Sequence, residues 1–334
     1  MSRRLIALIV VLIVGTGAIT TTIAFASSNS AKAPSSAKTP SAKISITLVA
    51  GITTDAFYLT MKKGAAAEAK KEGVSFTYTG SPAAFSPPTQ IPFLNATIAR
   101  HPSAIMIAPT DKSALIAPIQ RAIKAGIPVV TVDTMITKKI ALSNVSTDNP
   151  AGGRLAADAL AKAIGSAGGD VGIMATTPGV STTDQRIAGF KTELAKYPKL
   201  TFTSIQYCND DTPTAARLTS ALLAAHPNLA GMFAVNVKSG DGVTSAVQAA
   251  GKSGKVKLVE FDAGPPQMAA LKVGTVDALV AQYPYGIGQL GVQLAVKWVK
   301  HHRAGIKKHY GTPSAVITKA NMNNPKIKKF IYTP

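Results

Sequence analysis

Val129-Val130-Thr131-Val132-Asp133 and Val256-Lys257-Leu258-Val259-Glu260-Phe261-Asp262 close two copies of one pattern. Working back from the first, Lys112-Ser113 opens a helical stretch, Ile105-Met106-Ile107-Ala108 is a short apolar strand, and Ala99-Arg100-His101-Pro102 is the turn before it. Working back from the second gives Lys238-Ser239, Gly231-Met232-Phe233-Ala234 and Ala225-His226-Pro227. Each copy reads turn, strand, helix, strand, Asp. A looser pair lies upstream of each. Thr53-Thr54-Asp55 opens an Ala/Lys-rich helix, and Thr182-Thr183-Asp184 opens another after Val171-Gly172-Ile173-Met174. The repeat is as long as a lobe, so it predicts two similar α/β lobes rather than a solenoid.

The alternation continues along the chain. Strands are expected at 44–50, 74–78, 104–107, 129–132, 171–175, 201–207, 231–235, 256–261 and 278–281, with helices between them. Gly73 should end the first helix, and Pro92 should sit in the first turn of a helix over 89–100. Asp148 or Asn149 should cap a helix beginning near Pro150. Strands separated by helices imply parallel sheets covered on both faces, so the fold class is α/β, two doubly wound Rossmann-like lobes.

The chain has 334 residues and a formal charge of +20, with 46% hydrophobic and only 16% charged residues. Arg3 and Arg4 precede the apolar run Leu5 to Val14, and Ala24-Phe25-Ala26 fits a small-x-small cleavage pattern. Residues 1–26 therefore read as a secretory signal peptide, with an uncleaved N-terminal anchor as the rival. Residues 27–43 are Ser, Ala, Pro and Lys without aromatics and read as a disordered tether. Export puts nucleic acid out of reach. Cys208 is the only cysteine, which excludes an internal disulfide and a four-thiolate zinc site. No acidic residue follows Asp277, and the basic excess there reads either as a solvated face or as attraction to an anionic envelope surface.

Few features suggest bond-making chemistry. Gly286-Ile287-Gly288-Gln289-Leu290-Gly291 matches a dinucleotide fingerprint in form, but no acidic residue follows about 20 positions on. Helix packing explains those glycines better. Gly251-Lys252-Ser253 follows a helix instead of preceding one and reads as a helix stop. The five histidines do not cluster at metal-ligand spacing, and there is no GxSxG elbow. No catalytic residue, metal or cofactor is expected.

The positive signal is where polar and aromatic residues fall. Ligands of doubly wound sheets bind beyond the carboxyl ends of the strands. Those ends carry Asp55, Phe57 and Tyr58; Asp133 and Thr134; Asp184 and Arg186; Asn209, Asp210 and Asp211; Asn236; Phe261 and Asp262; and Gln282 and Tyr283. All but Asp184, Asn209, Asp211 and Tyr283 are taken as the candidate site. Carboxylates accept from hydroxyls, Arg and Asn donate, and aromatic faces cover the C–H side of a sugar ring. Any one Asp has a bland reading as a helix cap, but both halves place an Asp at the same strand end.

These stretches carry a resemblance. Asp55-Ala56-Phe57-Tyr58, Pro109-Thr110-Asp111, Gly126 to Asp133, Thr147 to Gly153, Gln185 to Phe190, Ala234-Val235-Asn236, Phe261-Asp262 and Ala281-Gln282 together resemble the periplasmic ribose-binding family of ABC-transporter substrate-binding proteins, from Ile46 to about Lys308. The resemblance implies two lobes joined by a three-strand hinge near 145–147, 283–285 and after 309, closing on one sugar. The first lobe would comprise 44–146 plus 284–309 and the second 147–283 plus 310–334. Positions matching Phe57 and Tyr58 would stack on the sugar, with Phe261 lining the other side. Asp133, Arg186, Asn236, Asp262 and Gln282 would hydrogen-bond to it.

Three positions depart from the ribose pattern. Thr134 stands where ribose binders have Arg, Asp55 where they have Asn, and Asp210 in a region where they have an aromatic. The site loses a cation and gains carboxylates, so the expected ligand is another neutral sugar or polyol, or one carrying an amine. The implied protein is a monomeric, exported importer component that works with an ABC permease at the periplasmic or extracellular face of the envelope. The alternative is an exported co-receptor that presents a sugar or an autoinducer-2-like ligand to a sensor kinase or chemoreceptor.

Overall fold

The computed structural model describes residues 43–333. The expected signal or anchor at 1–26, and the tether except Lys43, lie outside the described residues.

The first six-stranded sheet begins with β1 (Ser45–Val49), α1 (Ala56–Glu72), β2 (Ser75–Thr79), α2 (Pro87–Ala99), β3 (Ala104–Ile107), α3 (Ile116–Lys124), β4 (Val129–Val132) and β5 (Ser143–Thr147). The chain then crosses to the second sheet through α4 (Asn149–Ile164), β6 (Gly169–Ala175), α5 (Ser181–Leu194), β7 (Leu200–Tyr207), α6 (Thr212–Ala225), β8 (Leu229–Ala234), α7 (Val237–Ala249), β9 (Lys257–Phe261), α8 (Pro265–Val273) and β10 (Ala278–Ala281). It returns as α9 (Pro284–Val299) and β11 (His309–Thr312), then crosses again to β12 (Ala315–Ile317) and the short α10 (Pro325–Lys328).

The strand orders are β11-β5-β4-β3-β1-β2 and β12-β10-β9-β8-β6-β7. All pairings are parallel except β10 with β12. The all-buried apolar strands β3 and β4 are what a sheet covered on both faces requires.

Two helix pairs cover the sheets where the chain changes lobe, and glycines set their spacing. Gly64 of α1 faces the backbone of Tyr285, and Gly288 of α9 faces the backbone of Met61. Gly153 of α4 lies on the carbonyl of Arg186, and Gly189 of α5 on that of Pro150. A Cβ at any of these four would strike backbone. Of the glycines read as helix-packing residues at 286–291, Gly288 does that work, whereas Gly286 lies against the Tyr283 ring and Gly291 against the Met106 and Val132 side chains of the sheet. Gly251, at φ 62°, ends α7 as read.

Four details differ from expectation. The helix expected at 89–100 starts at Pro87, because prolines at its first positions need no N–H partner, and Pro92 consequently lies inside the helix. The middle crossing at 283–285 is not a strand: Tyr283 precedes α9, and Pro284 is its first residue. Strand β11 pairs with β5, so residues 310–312 belong to the first lobe's sheet instead of the second lobe, and the third crossing, expected after 309, lies at 312–315. The tail does not belong to one lobe: Phe330 packs in the second core, whereas Tyr332 packs in the first.

Candidate functional site

The strand ends of both sheets face each other across a narrow cleft of about 50 Å³. Ten of the eleven residues picked from strand ends line it: Asp55, Phe57, Tyr58, Asp133, Thr134, Arg186, Asp210, Asn236, Asp262 and Gln282. Phe261 does not. It is the last residue of β9, fully buried, and its ring lies 3.7 Å beneath the guanidinium carbon of Arg186. It serves the site as the platform that flattens Arg186, not as a wall.

Asp133 and Asp262 each follow a central strand and take a left-handed backbone, with φ of 62° and 85°. That conformation is costly for residues other than glycine and is tolerated best by Asn and Asp. It turns each carboxylate off its strand axis. The turns are pinned by matching bonds, from Asp133 N–H to the Val145 carbonyl at 2.8 Å and from Asp262 N–H to the Val280 carbonyl at 2.9 Å. Asp210 and its neighbour Asn209 adopt the same strained region, both at φ 55°.

Supporting bonds fix the polar rim. Tyr58 Oη donates to Asp133 Oδ2 at 2.8 Å. Asp262 receives Gln282 Nε2 at 2.7 Å, Tyr332 Oη at 2.6 Å and the Val237 N–H at 3.2 Å. Gln282 Oε1 in turn accepts from Thr147 Oγ1 at 2.7 Å, so this amide ties a crossing strand to the site. Asn236 caps α7 and donates to Asp210 Oδ1 at 2.6 Å. Asp55 caps α1 by accepting from the Phe57 N–H, so both its bland reading and its place in the cleft hold.

Arg186 is 2% exposed. Its Nε donates to Asn149 Oδ1 at 2.9 Å and its Nη1 to the Val235 carbonyl at 2.7 Å. Among the described residues nothing accepts from Nη2, and the Thr134 hydroxyl also has no partner. Buried polar groups are nearly always paired, and leaving one unpaired costs about 1–3 kcal/mol, more for a charge. Two such groups lining one cleft point to a polar ligand.

Four carboxylates line the cleft with one guanidinium. Burial first, and then the neighbouring Asp262, push the half-buried Asp55 carboxyl up to about 7. Burial pushes Asp133 up to about 6, against the opposing pull of Arg186 and the Tyr58 hydrogen bond. Burial also raises Asp210, against the cation of Lys238 at 3.8 Å. Hydroxyl donors would relieve this acceptor-rich rim without adding another negative charge.

Strand-end reasoning missed Phe85, Thr176, Thr182 and Thr183 as lining residues. Phe85 follows β2 and stacks on Tyr58 with centroids 6.5 Å apart, so the same rule would have found it. Thr182 and Thr183 were read only as a helix start. Tyr332 left no signal, because it reaches the site from the far end of the chain.

The lobes also touch around the cleft. Lys112 Nζ meets Asp184 Oδ2 at 2.6 Å, the Lys112 N–H donates to the Gly179 carbonyl, and the Met135 N–H donates to Ser181 Oγ. A profile of the periplasmic binding protein domain matches residues 46–303. The chain belongs to this periplasmic binding protein family.

The ribose import binding protein of Escherichia coli (strain K12) is 32% identical over 266 residues, covering 80% of this chain and 88% of that protein. The D-ribose/D-allose-binding protein of Pseudomonas aeruginosa is 33% identical over 298 residues, covering 84% and 91%. Among solved structures, an ABC transporter solute-binding protein from Agrobacterium vitis bound with alpha-D-tagatopyranose is 43% identical, with a TM-score of 0.85, covering 87% of this chain and all of that one. As a periplasmic binding protein, the chain has the two-lobe α/β fold that its doubled sequence implies.

Proposed function

We propose that this chain is the solute-binding component of an ABC importer and takes one neutral monosaccharide, in ring form, between its lobes. The unpaired Arg186 Nη2 and Thr134 hydroxyl, buried opposite four carboxylates, are the observation that carries this reading. Asp55, Asp133, Asp210 and Asp262 accept from ring hydroxyls. Arg186, Thr134 and Asn236 donate, and Phe57, Tyr58 and Phe85 cover the apolar face of the ring. A pyranose bound by a relative 43% identical supports a six-membered ring over an open polyol. It also supports a neutral ligand over an amine-bearing one.

The site binds without reacting. Closure around the solute brings the Lys112 and Met135 contacts together and forms the surface offered to a permease at the outer face of the membrane. The importer names of the relatives support transport over a co-receptor role. A thermal-shift panel of neutral pyranoses, pentoses, polyols and amino sugars tests the reading, because a ligand of the native state alone must raise Tm. Neutral pyranoses should give the largest shift, and Arg186→Ala and Asp262→Ala should each abolish it. An undiminished shift in both variants, or a shift with amino sugars only, would overturn the proposal.

A further inference from the structure

The first lobe carries its charge at one end. Residues 43–147 and 284–312 hold 16 Lys and Arg against 5 Asp and Glu, whereas residues 148–283 and 313–334 hold 16 against 11. All strand pairings in the first sheet are parallel, so every strand starts at the edge remote from the cleft, and the helices between them end there. Those helix ends bear Lys70, Lys71, Arg100, Arg121 and Lys124, all exposed. The turn between α9 and β11 adds exposed Lys300, Arg303, Lys307 and Lys308. Two carboxylates share this edge: Glu68, buried and paired with Lys71, and Glu72, paired with Lys300. Helix dipoles account for one or two cations at each helix end, but not for the turn.

The same edge has an apolar cleft of about 260 Å³, lined by Ile123, Ile127, Ile140, Leu142 and Trp298, with Lys308 at its rim. The Arg303 guanidinium sits 4.3 Å from the Trp298 ring. A half-buried tryptophan ringed by long cationic side chains suits the boundary between headgroups and acyl chains. Lys43, immediately before β1, is also at this edge.

We propose that this basic edge of the first lobe, centred on Trp298, docks on an anionic phospholipid bilayer. The cations gather against lipid phosphates within a Debye length, and Trp298 settles at the interface. The cleft, at the opposite edge of the sheet, stays open to solute.

Trp298 is the single tryptophan of the chain, so its fluorescence reports this edge alone. The full-length protein is mixed with brominated vesicles of phosphatidylcholine, with or without phosphatidylglycerol. Any general affinity of the N-terminal segment for lipid is common to both. Trp298 should blue-shift and be quenched with phosphatidylglycerol, and the effect should vanish in high salt. Reversing Lys300, Arg303, Lys307 and Lys308 to Glu should weaken partitioning at least about tenfold. Reversing Lys319, Lys326, Lys328 and Lys329 should not. Sugar-induced thermal shifts retained in both variants show that each still folds. Equal quenching with and without phosphatidylglycerol, equal loss in the two variants, or a response to soluble dextran sulfate but not to vesicles would overturn the proposal.

Discussion

At the end of β4, Asp133 takes a φ of 62° and accepts one side-chain hydrogen bond, from Tyr58. At the end of β9, Asp262 takes a φ of 85° and accepts from Gln282, Tyr332 and the backbone of Val237. The two lobes repeat the strained turn but not its surroundings. Asp262 is locked by donors from a crossing segment, the C-terminal tail and a helix start. Asp133 has most of its accepting capacity left for solute, in a place that resists its charge. One copy of the unit is built for rigidity and the other for responsiveness.

Removing the two carboxylates should separate these roles. Asp262→Ala strands three buried donors at about 1–3 kcal/mol each. The ligand-free protein should lose at least about 3 kcal/mol, visible as a Tm several degrees lower, together with all sugar binding. Asp133→Ala strands only the Tyr58 hydroxyl and, at pH 4 where the carboxyl is protonated, should cost about 1 kcal/mol while binding is still lost. Equal destabilisation in chemical denaturation would erase the distinction.

The acidity of Asp133 sharpens the contrast. Its folded carboxyl holds the proton to about 6, whereas the ordinary value is 3.8. Between those values the native state binds more protons than the unfolded chain, so this group's contribution falls as pH rises from about 4 to 6. The loss is roughly 3 kcal/mol if the full displacement is expressed. Asp133→Asn should remove that part of the decline, leaving the ligand-free variant relatively more stable at pH 7 than at pH 4. Denaturant titrations across this range measure it, and parallel wild-type and variant profiles would refute it.

The repeat made much of this legible, and its limits are physical. Apolar strands and helix signals follow from local pattern, so the lobes, the two Asp positions and ten cleft residues could be read in order. Phe261 was misplaced because a residue at a strand end can point either to the cleft or beneath it, and only the stacked Arg186 decides. Tyr332 was invisible because its bond to Asp262 spans 70 residues without a pattern between them. Tyr332→Phe tests that hidden strut. It should cost about 1 kcal/mol in stability and weaken sugar binding severalfold by calorimetry, since Asp262 keeps two of its three donors.

The Lys-Ser pair of each repeat gives the finest test. Lys112 bridges to Asp184 in the other lobe at 2.6 Å, whereas Lys238 stays in its own lobe, 3.8 Å from Asp210. A contact between lobes is made only when they are together, so Lys112 favours the closed state and Lys238 does not. Both members of the Lys112 pair are about one-third exposed, which limits it to about 1 kcal/mol or less. Lys112→Ala should therefore raise the sugar off-rate by a factor of about five at most, and the difference should shrink with added salt. Lys238→Ala should leave the off-rate at high pH nearly unchanged. It removes the cation that opposes the burial-raised Asp210 carboxyl, so its defect should emerge as pH falls. Stopped-flow release at two salt concentrations and two pH values distinguishes a latch from a charge partner, and interchangeable behaviour of the two variants would mean that the repeated lysines do not differ in role.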